Sequence, residues 1–470
     1  MKYVAFGTML LGGVPLMVWL GMANQRMREL LVAVLLASTC FGPLGKLNFV
    51  SIETYRGPDR GFELTLTDLV ALALCIVILI RFPREMVAVP PRTIVLAVFF
   101  LLCAVSAATS PVPLYGAFTL FKLLRMFVIY WCVVNALEIG IDLRGFWTGF
   151  IAIAMVMTVL ALKQKYLNGM YRISGPFDHS NTIPLFVNVI LPVLLTWAVA
   201  DRNMPLWKAA LSMLGVMGLL LSVVATYSRA GIALAGVSLI VVLLGTNLRG
   251  ANPRSIAVSA MVLLLMIGGA IKAADSMMKR VKEAPKSSEQ ARIEFNNAAT
   301  AMMHDHSTGV GLNNFSYVLT TRTEYNRFLE VMKNESQAGV CHHIYNLTGA
   351  ELGLPGLLLF VGILASFLWT AFRGALRTRT LESKLMFGLM LGAVALHLQG
   401  FLEWGFRITP VMQIFAISCG MVIGLSRRVS AMSRVPSKLQ PLRRGRRPEP
   451  AFARARSMPL CLTSVAAGGR

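Results

Sequence analysis

The sequence contains few charged residues. Only 14% of its 470 residues are Asp, Glu, Lys or Arg, whereas soluble domains contain about a quarter. Hydrophobic residues make up 56% of the chain, and the mean hydropathy is +0.65. A water-soluble enzyme of this size would have to expose much of that apolar surface, and a disordered chain requires low hydrophobicity. Both classes are therefore disfavoured, and a membrane protein that crosses the bilayer many times remains.

Cysteine, histidine and acidic residues are also scarce. The seven cysteines show no Cys-x-x-Cys spacing and most fall inside apolar runs, so we expect neither a structural disulfide nor a cysteine metal site. The connections outside the membrane contain no Asp-x-Asp pattern, so we expect no metal and no other cofactor. Lys and Arg outnumber Asp and Glu by 45 to 22. The positive charges lie in short connections and in a tail, which favours membrane topology over nucleic-acid binding.

Long apolar runs are the dominant feature of the chain. A helix of about twenty apolar residues covers the hydrocarbon core, so these runs predict an all-α polytopic membrane protein with twelve or thirteen transmembrane helices. One run contains Pro15 and another is short, which leaves the count open. The runs lie at 4–22, 29–45, 66–82, 93–110, 115–137, 145–164, 182–200, 206–224, 229–246, 255–273, 344–372, 384–402 and 408–426.

The runs divide the chain into four parts. Residues 1–273 contain about ten predicted spans, 274–343 form one large loop, and 344–426 contain about three further spans. The tail 427–470 has eleven basic residues and a single acid, Glu449, with little apolar periodicity. We therefore expect a disordered tail that is held near anionic lipid.

Basic residues are concentrated in alternate connections. By the positive-inside rule these connections and the tail are cytoplasmic, which places the large loop 274–343 on the outer face. The residues that carry this assignment are Arg26, Arg28, Arg81, Arg84, Arg92, Arg144, Arg202, Lys208, Arg249, Arg254, Arg373, Arg377, Arg379 and Lys384.

Five of the six histidines fall on the predicted outer face. Imidazole suits proton transfer near neutral pH, so this face is where we expect chemistry. Arg229 lies there too, in a turn too short to be ordinary surface. The outer segments with informative residues are Tyr171–Asn181, Thr226–Gly231, Arg292 with Gly309–Phe315, and His342–Gly356.

Helical geometry constrains the last of these segments. At about 100° per residue, Gly349 and Gly353 share a stripe with His342, and Gly356 lies about 40° away. This stripe predicts a close helix neighbour. In a continuous helix Glu351 faces the opposite side, so we expect it to pair with a cation of a neighbouring helix.

The same segment resembles the C-terminal motif of the O-antigen ligase and Wzy-type polysaccharide polymerase superfamily. That motif reads His-Asn-x-Tyr-Leu and then Ala-Glu-x-Gly-x-x-Gly. Here His343 replaces the usual Asn and Asn346 replaces the Leu, while the glutamate and both glycines are in register. The resemblance covers about 170–405. Further matching segments are Gly309-Val310-Gly311 with Phe315, the loop arginine Arg292, Ser228-Arg229-Ala230-Gly231, and Gly175-Pro176-Phe177 with Asn181.

The resemblance implies a metal-independent glycosyltransferase of the bacterial inner membrane, with its active face in the periplasm. Its donor would be an oligosaccharide on undecaprenyl diphosphate, and its acceptor a hydroxyl of a glycan, of lipid A-core or of a protein. Polymerase and ligase are not separated, and other polysaccharide-assembly proteins are expected partners. The implied roles are catalytic for His342, Arg292 and Arg229, substrate-binding for Arg172, Asn181, Gly311, His343 and Tyr345, and structural for Glu351, Gly353 and Gly356.

A transporter of a small solute, such as inorganic carbon, is the alternative from another class, because relatives with this loop motif have been proposed as such transporters. Transport requires charge or broken helices near the bilayer midplane. The midspan candidates are Lys122, Arg125 and His397.

Overall fold

A computed structural model describes residues 2–201, 203–248, 253, 255–264, 268, 286–329 and 339–434. Met1–Val429 form one compact unit, which contains every contact discussed below. The helices are α1 Tyr3–Ala23, α2 Gln25–Ser38, α3 Leu66–Arg81, α4 Thr93–Ala108, α5 Pro113–Glu138, α6 Leu143–Leu167, α7 Thr182–Ala200, α8 Leu206–Val224, α9 Arg229–Leu248, α10 Ser255–Leu264, α11 Lys286–Asp305, α12 Phe315–Thr321, α13 Thr323–Asn326, α14 Ile344–Arg377, α15 Leu381–Gln399 and α16 Thr409–Arg434.

These helices confirm the predicted all-α polytopic membrane fold. Nine described helices are long and apolar enough to cross a membrane, namely α1, α5, α6, α7, α8, α9, α14, α15 and α16. The remaining predicted runs coincide with the shorter helices α2, α3, α4 and α10. Residues 265–267 and 269–273 of the run 255–273 and residues 435–470 of the predicted disordered tail lie outside the described residues. Residues 427–434 of that tail are helical, because they continue α16, so the prediction of disorder is wrong for them.

Two short strands between α2 and α3 were missed by the sequence analysis. Strand β1 (Lys46–Phe49) pairs antiparallel with β2 (Phe62–Thr65), with Lys46 opposite Thr65. The apolar run 29–45 did not reveal that α2 ends at Ser38. The last residues of the run are mostly apolar but form the 3-10 turn Thr39–Gly45. We call residues 46–65 the outer hairpin, and it forms one wall of the site described below.

Helix α7 is the centre of the bundle and is buried along its whole spanning length. It packs against α8, α9 and α15. Two glycines of α15 permit the closest approach, since a Cβ on Gly392 would meet the carbonyl oxygen of Val189 and one on Gly388 would meet the backbone of α7 near Pro192. Small residues let helices approach in this way where lipid provides no hydrophobic drive. The start of α7 is therefore fixed in position, and Asn181 is the residue immediately before it.

The predicted large loop 274–343 contains α11, α12 and α13, while its residues 274–285 and 330–338 lie outside the described residues. Helix α11 packs against α14. A Cβ on Gly349 of α14 would meet the Met303 side chain of α11, so the close neighbour expected beside this glycine is present.

Helix α14 is broken at Gly353, which corrects the continuous helix assumed from the sequence. Gly353 has φ 67° and ψ −173°, a conformation that only glycine adopts without strain. A Cβ there would also meet the carbonyl oxygen of Ser307. Because of this break Gly356 does not continue the stripe, and a Cβ on it would meet Leu352 of its own helix.

Candidate functional site

The carboxylate of Glu403 connects most of the candidate residues. Glu403 lies in the connection between α15 and α16, and 8% of its side chain is exposed. Its Oε1 accepts hydrogen bonds from Asn181 Nδ2 at 2.6 Å and from Arg292 at 3.0 Å. Its Oε2 lies 3.1 Å from Nδ1 of His342. Residues from three distant parts of the sequence therefore converge on one buried anion.

The charge state of Glu403 follows from these neighbours. Burial by itself would raise the pKa of Glu403, but the hydrogen bond from His342 and the positive charge of Arg292 lower it below its ordinary value. Glu403 is therefore ionised at neutral pH. An ionised carboxylate only accepts hydrogen bonds, so Nδ1 of His342 carries the hydrogen that faces it.

This arrangement fixes the tautomer of His342. With its hydrogen on Nδ1, the neutral imidazole keeps a lone pair on Nε2, and no described residue makes a hydrogen bond to that atom. About a quarter of the His342 side chain is exposed. The geometry is that of a base whose orientation is set by a buried carboxylate.

Arg172 connects this cluster to the turn before α9. It donates from one terminal nitrogen to Oδ1 of Asn181 at 2.9 Å and from Nε to the carbonyl oxygen of Thr226 at 3.0 Å. Gly231 lets the start of α9 contact the start of α7, because a Cβ on it would meet Pro184. Arg229 is exposed at the first residue of α9, where the helix N-terminus also favours an anion.

A polar cleft of about 780 Å³ opens beside His342 and Glu403. His179 and Asn181 line it, and so does the outer hairpin, whose Lys46 Nζ lies 3.8 Å from the carboxylate of Asp178. Burial lowers the pKa of His179, partly offset by the negative charge of Glu403, so this imidazole is neutral at neutral pH. The cleft size is within the range of small-molecule sites, which are about 300–1,000 Å³.

Glu351 forms a buried ion pair with Arg407, which lies in the 3-10 turn Gly405–Arg407 before α16. The expected cationic partner therefore exists, although a turn and not a neighbouring helix supplies it. The Gly-x-Gly segment Gly309–Gly311 lies against α14 at Glu351. Val310 N donates to Ala350 O at 2.8 Å, and Gly311 N donates to Glu351 O at 3.0 Å. These bonds satisfy carbonyls that the break at Gly353 would leave unpaired.

His343 and Tyr345 have structural contacts near the start of α14. His343 Nδ1 accepts the backbone N–H of Asn346 at 3.1 Å, which is an N-cap interaction. The Tyr345 hydroxyl donates to the carbonyl oxygen of His397 at 3.1 Å. Neither residue lines the cleft, nor does Gly311. The substrate-binding role of these three residues stays a prediction.

The capping contact predicts the effect of substituting His343, which stands where the family motif usually has Asn. His343→Asn should fold and act like the wild type, because an Asn side chain is among the best N-caps. His343→Ala loses the cap and should lower the free energy of unfolding by about 1 kcal/mol. Thermal unfolding of the detergent-solubilised variants measures this difference. Equal destabilisation by Asn and Ala would contradict the capping role.

Glu403 is the important residue that the sequence analysis missed. A usable signal was present, since Glu403 and Arg407 are the charged residues in a very short outer connection between two apolar runs. The same reasoning singled out Arg229 in its short turn. The partners of Glu403 could not be inferred, because they lie 61, 111 and 222 residues away along the chain.

Comparison with known families identifies the segment that contains most of these residues. The family model Wzy_C, described as O-Antigen ligase, matches residues 214–361. The match includes Arg229, Arg292, His342 and Glu351 and stops before Glu403. It confirms the resemblance found in the sequence. No curated protein matches the chain.

Proposed function

Because residues 214–361 match the O-antigen ligase family model, we propose that this protein transfers glycan from an undecaprenyl-diphosphate-linked donor to a hydroxyl acceptor. The family match supports a ligase or polymerase type of role in surface polysaccharide biosynthesis, and the apolar helices make the chain a multi-pass membrane protein. The observation that carries the proposal is the His342–Glu403 pair beside the cleft.

His342 acts as the general base. As the acceptor hydroxyl oxygen attacks the anomeric carbon of the donor sugar, its proton passes to Nε2 of His342. The bond between the anomeric carbon and the diphosphate oxygen breaks, and the diphosphate leaves with that electron pair. Glu403 stabilises the imidazolium that forms, because its carboxylate faces the opposite ring nitrogen at 3.1 Å.

Arginines balance the charge of the leaving diphosphate. Arg292 uses one terminal nitrogen on Glu403, and 37% of its side chain is exposed, so its other donors remain available. Arg229 has no hydrogen bond or ion pair within the part of the chain that the structure describes. Guanidinium forks bind phosphate oxygens in a bidentate manner. Arg172 is the third arginine, and its contact with the Thr226 carbonyl joins the two turns.

Arginine is proposed to act here without a metal. Within the described residues, no group of three His, Cys, Asp or Glu side chains stands close enough together to hold a metal ion. The direct test is glycan transfer from a defined lipid-diphosphate donor in excess EDTA. Activity should persist, whereas loss in EDTA with recovery in Mg²⁺ or Mn²⁺ would refute the arginine-only account.

The same assay tests the roles of the two proposed catalytic arginines, Arg229 and Arg292. Arg229→Ala and Arg292→Ala should each lower the transfer rate roughly 10²–10³-fold, which corresponds to about 2–4 kcal/mol in the transition state. Lysine at either position should restore only part of the rate, because it lacks the bidentate fork. Arg322→Ala, an exposed arginine of the segment after the Gly-x-Gly turn, is the matched control. Full activity of both alanine variants would contradict the proposed role.

The periplasmic placement of this site is part of the proposal and rests on the arginine-rich short connections of the opposite face. The transporter alternative gains no support from its midspan residues. Lys122 pairs with Asp59, and Arg125 donates to Asp68 at 3.0 Å. The ring of His397 stacks on Phe406. These partners favour a structural role for all three residues.

A further inference from the structure

The cleft beside His342 is lined by many residues besides the catalytic pair, and the outer hairpin contributes a large share of them. This hairpin lies outside the family segment 214–361. Among the residues that it contributes to the lining are Asn48, Arg56 and Arg60. The half-buried Trp404, next to Glu403 in the chain, lines the cleft near its catalytic end.

The loop of the outer hairpin is held rigidly. The Tyr55 ring stacks on Tyr115 with their centroids 3.8 Å apart, and the Tyr55 hydroxyl donates to the carbonyl oxygen of Asn313. Asn313 Nδ2 donates to the carbonyl oxygen of Asp59 at 2.9 Å, and the Asp59 carboxylate pairs with Lys122. Tyr55 and Asp59 are thus anchored on both sides of Arg56, so the loop that carries Arg56 is preorganised.

Arg56 and Arg60 are the unmatched cations of the cleft. Within the described residues neither guanidinium has an ion pair or a side-chain hydrogen bond. Two of the nearby carboxylates are already engaged, since Asp59 faces Lys122 and Glu63 faces Arg125, and the third, Glu53, is exposed and forms no ion pair with either arginine within the described residues. A half-buried arginine on a rigid loop without a protein partner favours binding of an external anion.

The position of the leaving group indicates which substrate occupies the cleft. None of Arg172, Arg229 and Arg292 is among the described residues that line the cleft, and Arg292 and Arg172 bond to its lining residues Glu403 and Asn181, so the proposed diphosphate site adjoins that end of the cleft. A hydroxyl that displaces a leaving group attacks from the opposite face of the anomeric carbon. His342 lies at the boundary and must contact that hydroxyl. The acceptor therefore belongs on the cleft side, and the lipid diphosphate on the arginine side.

We propose that the cleft is the acceptor-glycan site and that Arg56, assisted by Arg60, binds an acidic group of the acceptor, a carboxylate or a phosphate. This assignment rests on the proposed transferase function. Trp404 offers its ring to the apolar face of the sugar nearest to His342. Acceptor choice is then set partly by the outer hairpin, whereas His342, Glu403 and the arginines perform the chemistry.

The test is equilibrium binding of oligosaccharides to the full-length protein in nanodiscs, without donor. Three length-matched probes are used, one neutral, one bearing a uronate and one bearing a phosphate. Both acidic probes, or one of them, should bind more tightly than the neutral probe. Arg56→Ala should weaken that binding about tenfold or more and leave the neutral probe unchanged. Arg56→Lys should keep part of the preference, and Arg322→Ala should match the wild type.

The readout is the ratio of acidic to neutral affinity, which does not depend on the fraction of protein that is folded. The probe whose ratio falls most in Arg56→Ala identifies the acidic group as carboxylate or phosphate. An unchanged ratio in Arg56→Ala, or no preference for an acidic probe in the wild type, would overturn the assignment. With donor present, Arg56→Ala should raise the acceptor KM and leave kcat unchanged.

A failure of the proposed function gives a different pattern. His342→Ala should keep the wild-type ratio of acidic to neutral affinity, because that ratio depends on Arg56. If Arg56-dependent binding is found but no lipid-linked donor supports transfer, the transferase proposal fails and the anionic glycan site stands. If transfer occurs but Arg56→Ala changes neither the acceptor KM nor the binding of the acidic probes, the transferase proposal stands and the acceptor-site assignment fails.

Discussion

His342→Ala should lower glycan transfer roughly 10²–10⁴-fold, which is the usual contribution of a general base. The side chain is partly exposed at the edge of the cleft, and its removal leaves no large cavity in the bundle. Protein level, membrane insertion and the midpoint of thermal unfolding should therefore stay near the wild-type values. The measurement is single-turnover transfer from a defined lipid-linked donor.

His304→Ala is the matched control for this variant, because His304 lies at the end of α11 with 89% of its side chain exposed. It should retain full activity. If His342→Ala is active and His343→Asn is inactive, the base is His343 and the motif register is displaced by one residue. If both variants are fully active, no histidine of this motif serves as the base.

Glu403→Gln should reduce transfer nearly as much as His342→Ala, although it removes no atom of the cluster's framework. Arg292 and Asn181 both donate to Oε1, so the amide oxygen of Gln would take that position. The amide nitrogen would then face Nδ1 of His342 and donate to it. The imidazole would carry its hydrogen on Nε2 and could not accept the proton of the acceptor hydroxyl.

The appropriate control is Glu324→Gln, which makes the same chemical change at an exposed glutamate paired with Arg322. The tautomer argument also predicts that acceptor KM is little changed while kcat falls. A fall in binding of both substrates with unchanged kcat would mean that Glu403 only holds the fold of the site.

The lowered pKa of Glu403 adds a dependence of stability on pH. The folded protein holds this pKa below its ordinary value of 4.5, so the ionised carboxylate stabilises the fold at every pH above that value. This contribution is lost as the pH falls from 4.5 through the lowered pKa. The difference in unfolding midpoint between the wild type and Glu403→Gln should therefore shrink over that interval.

Much of the candidate site was accessible from the sequence because its residues lie in short outer connections of a chain that has few charges. An apolar run of twenty residues can only be a span, so a charged residue beside it must lie at an interface. Arg172 and His342 were singled out in this way, whereas Asn181 is uncharged and Arg292 lies within the long loop, and both of these came from the family resemblance. The structure joins all four through Glu403.

Gly353 and Gly356 show where local reasoning failed. Periodicity assumes a regular helix, and the break at Gly353 invalidates every angle computed beyond it. The break exists because the Ser307–Gly311 backbone approaches α14 closely enough to exclude a side chain at Gly353. That approach depends on residues more than forty positions away, so no local pattern contains it.

The sequence by itself determined the class of this protein, because hydropathy reports directly on the cost of exposing each segment to water. It also determined the all-α fold, since a chain in lipid must satisfy its backbone hydrogen bonds within each helix. Only the tertiary structure decided which polar groups meet. The pairing of His342 with Glu403, and the placement of the outer hairpin against α3 and α5, come from packing between elements that are distant in the sequence. Such packing depends on shape complementarity between distant residues, which composition and periodicity do not encode.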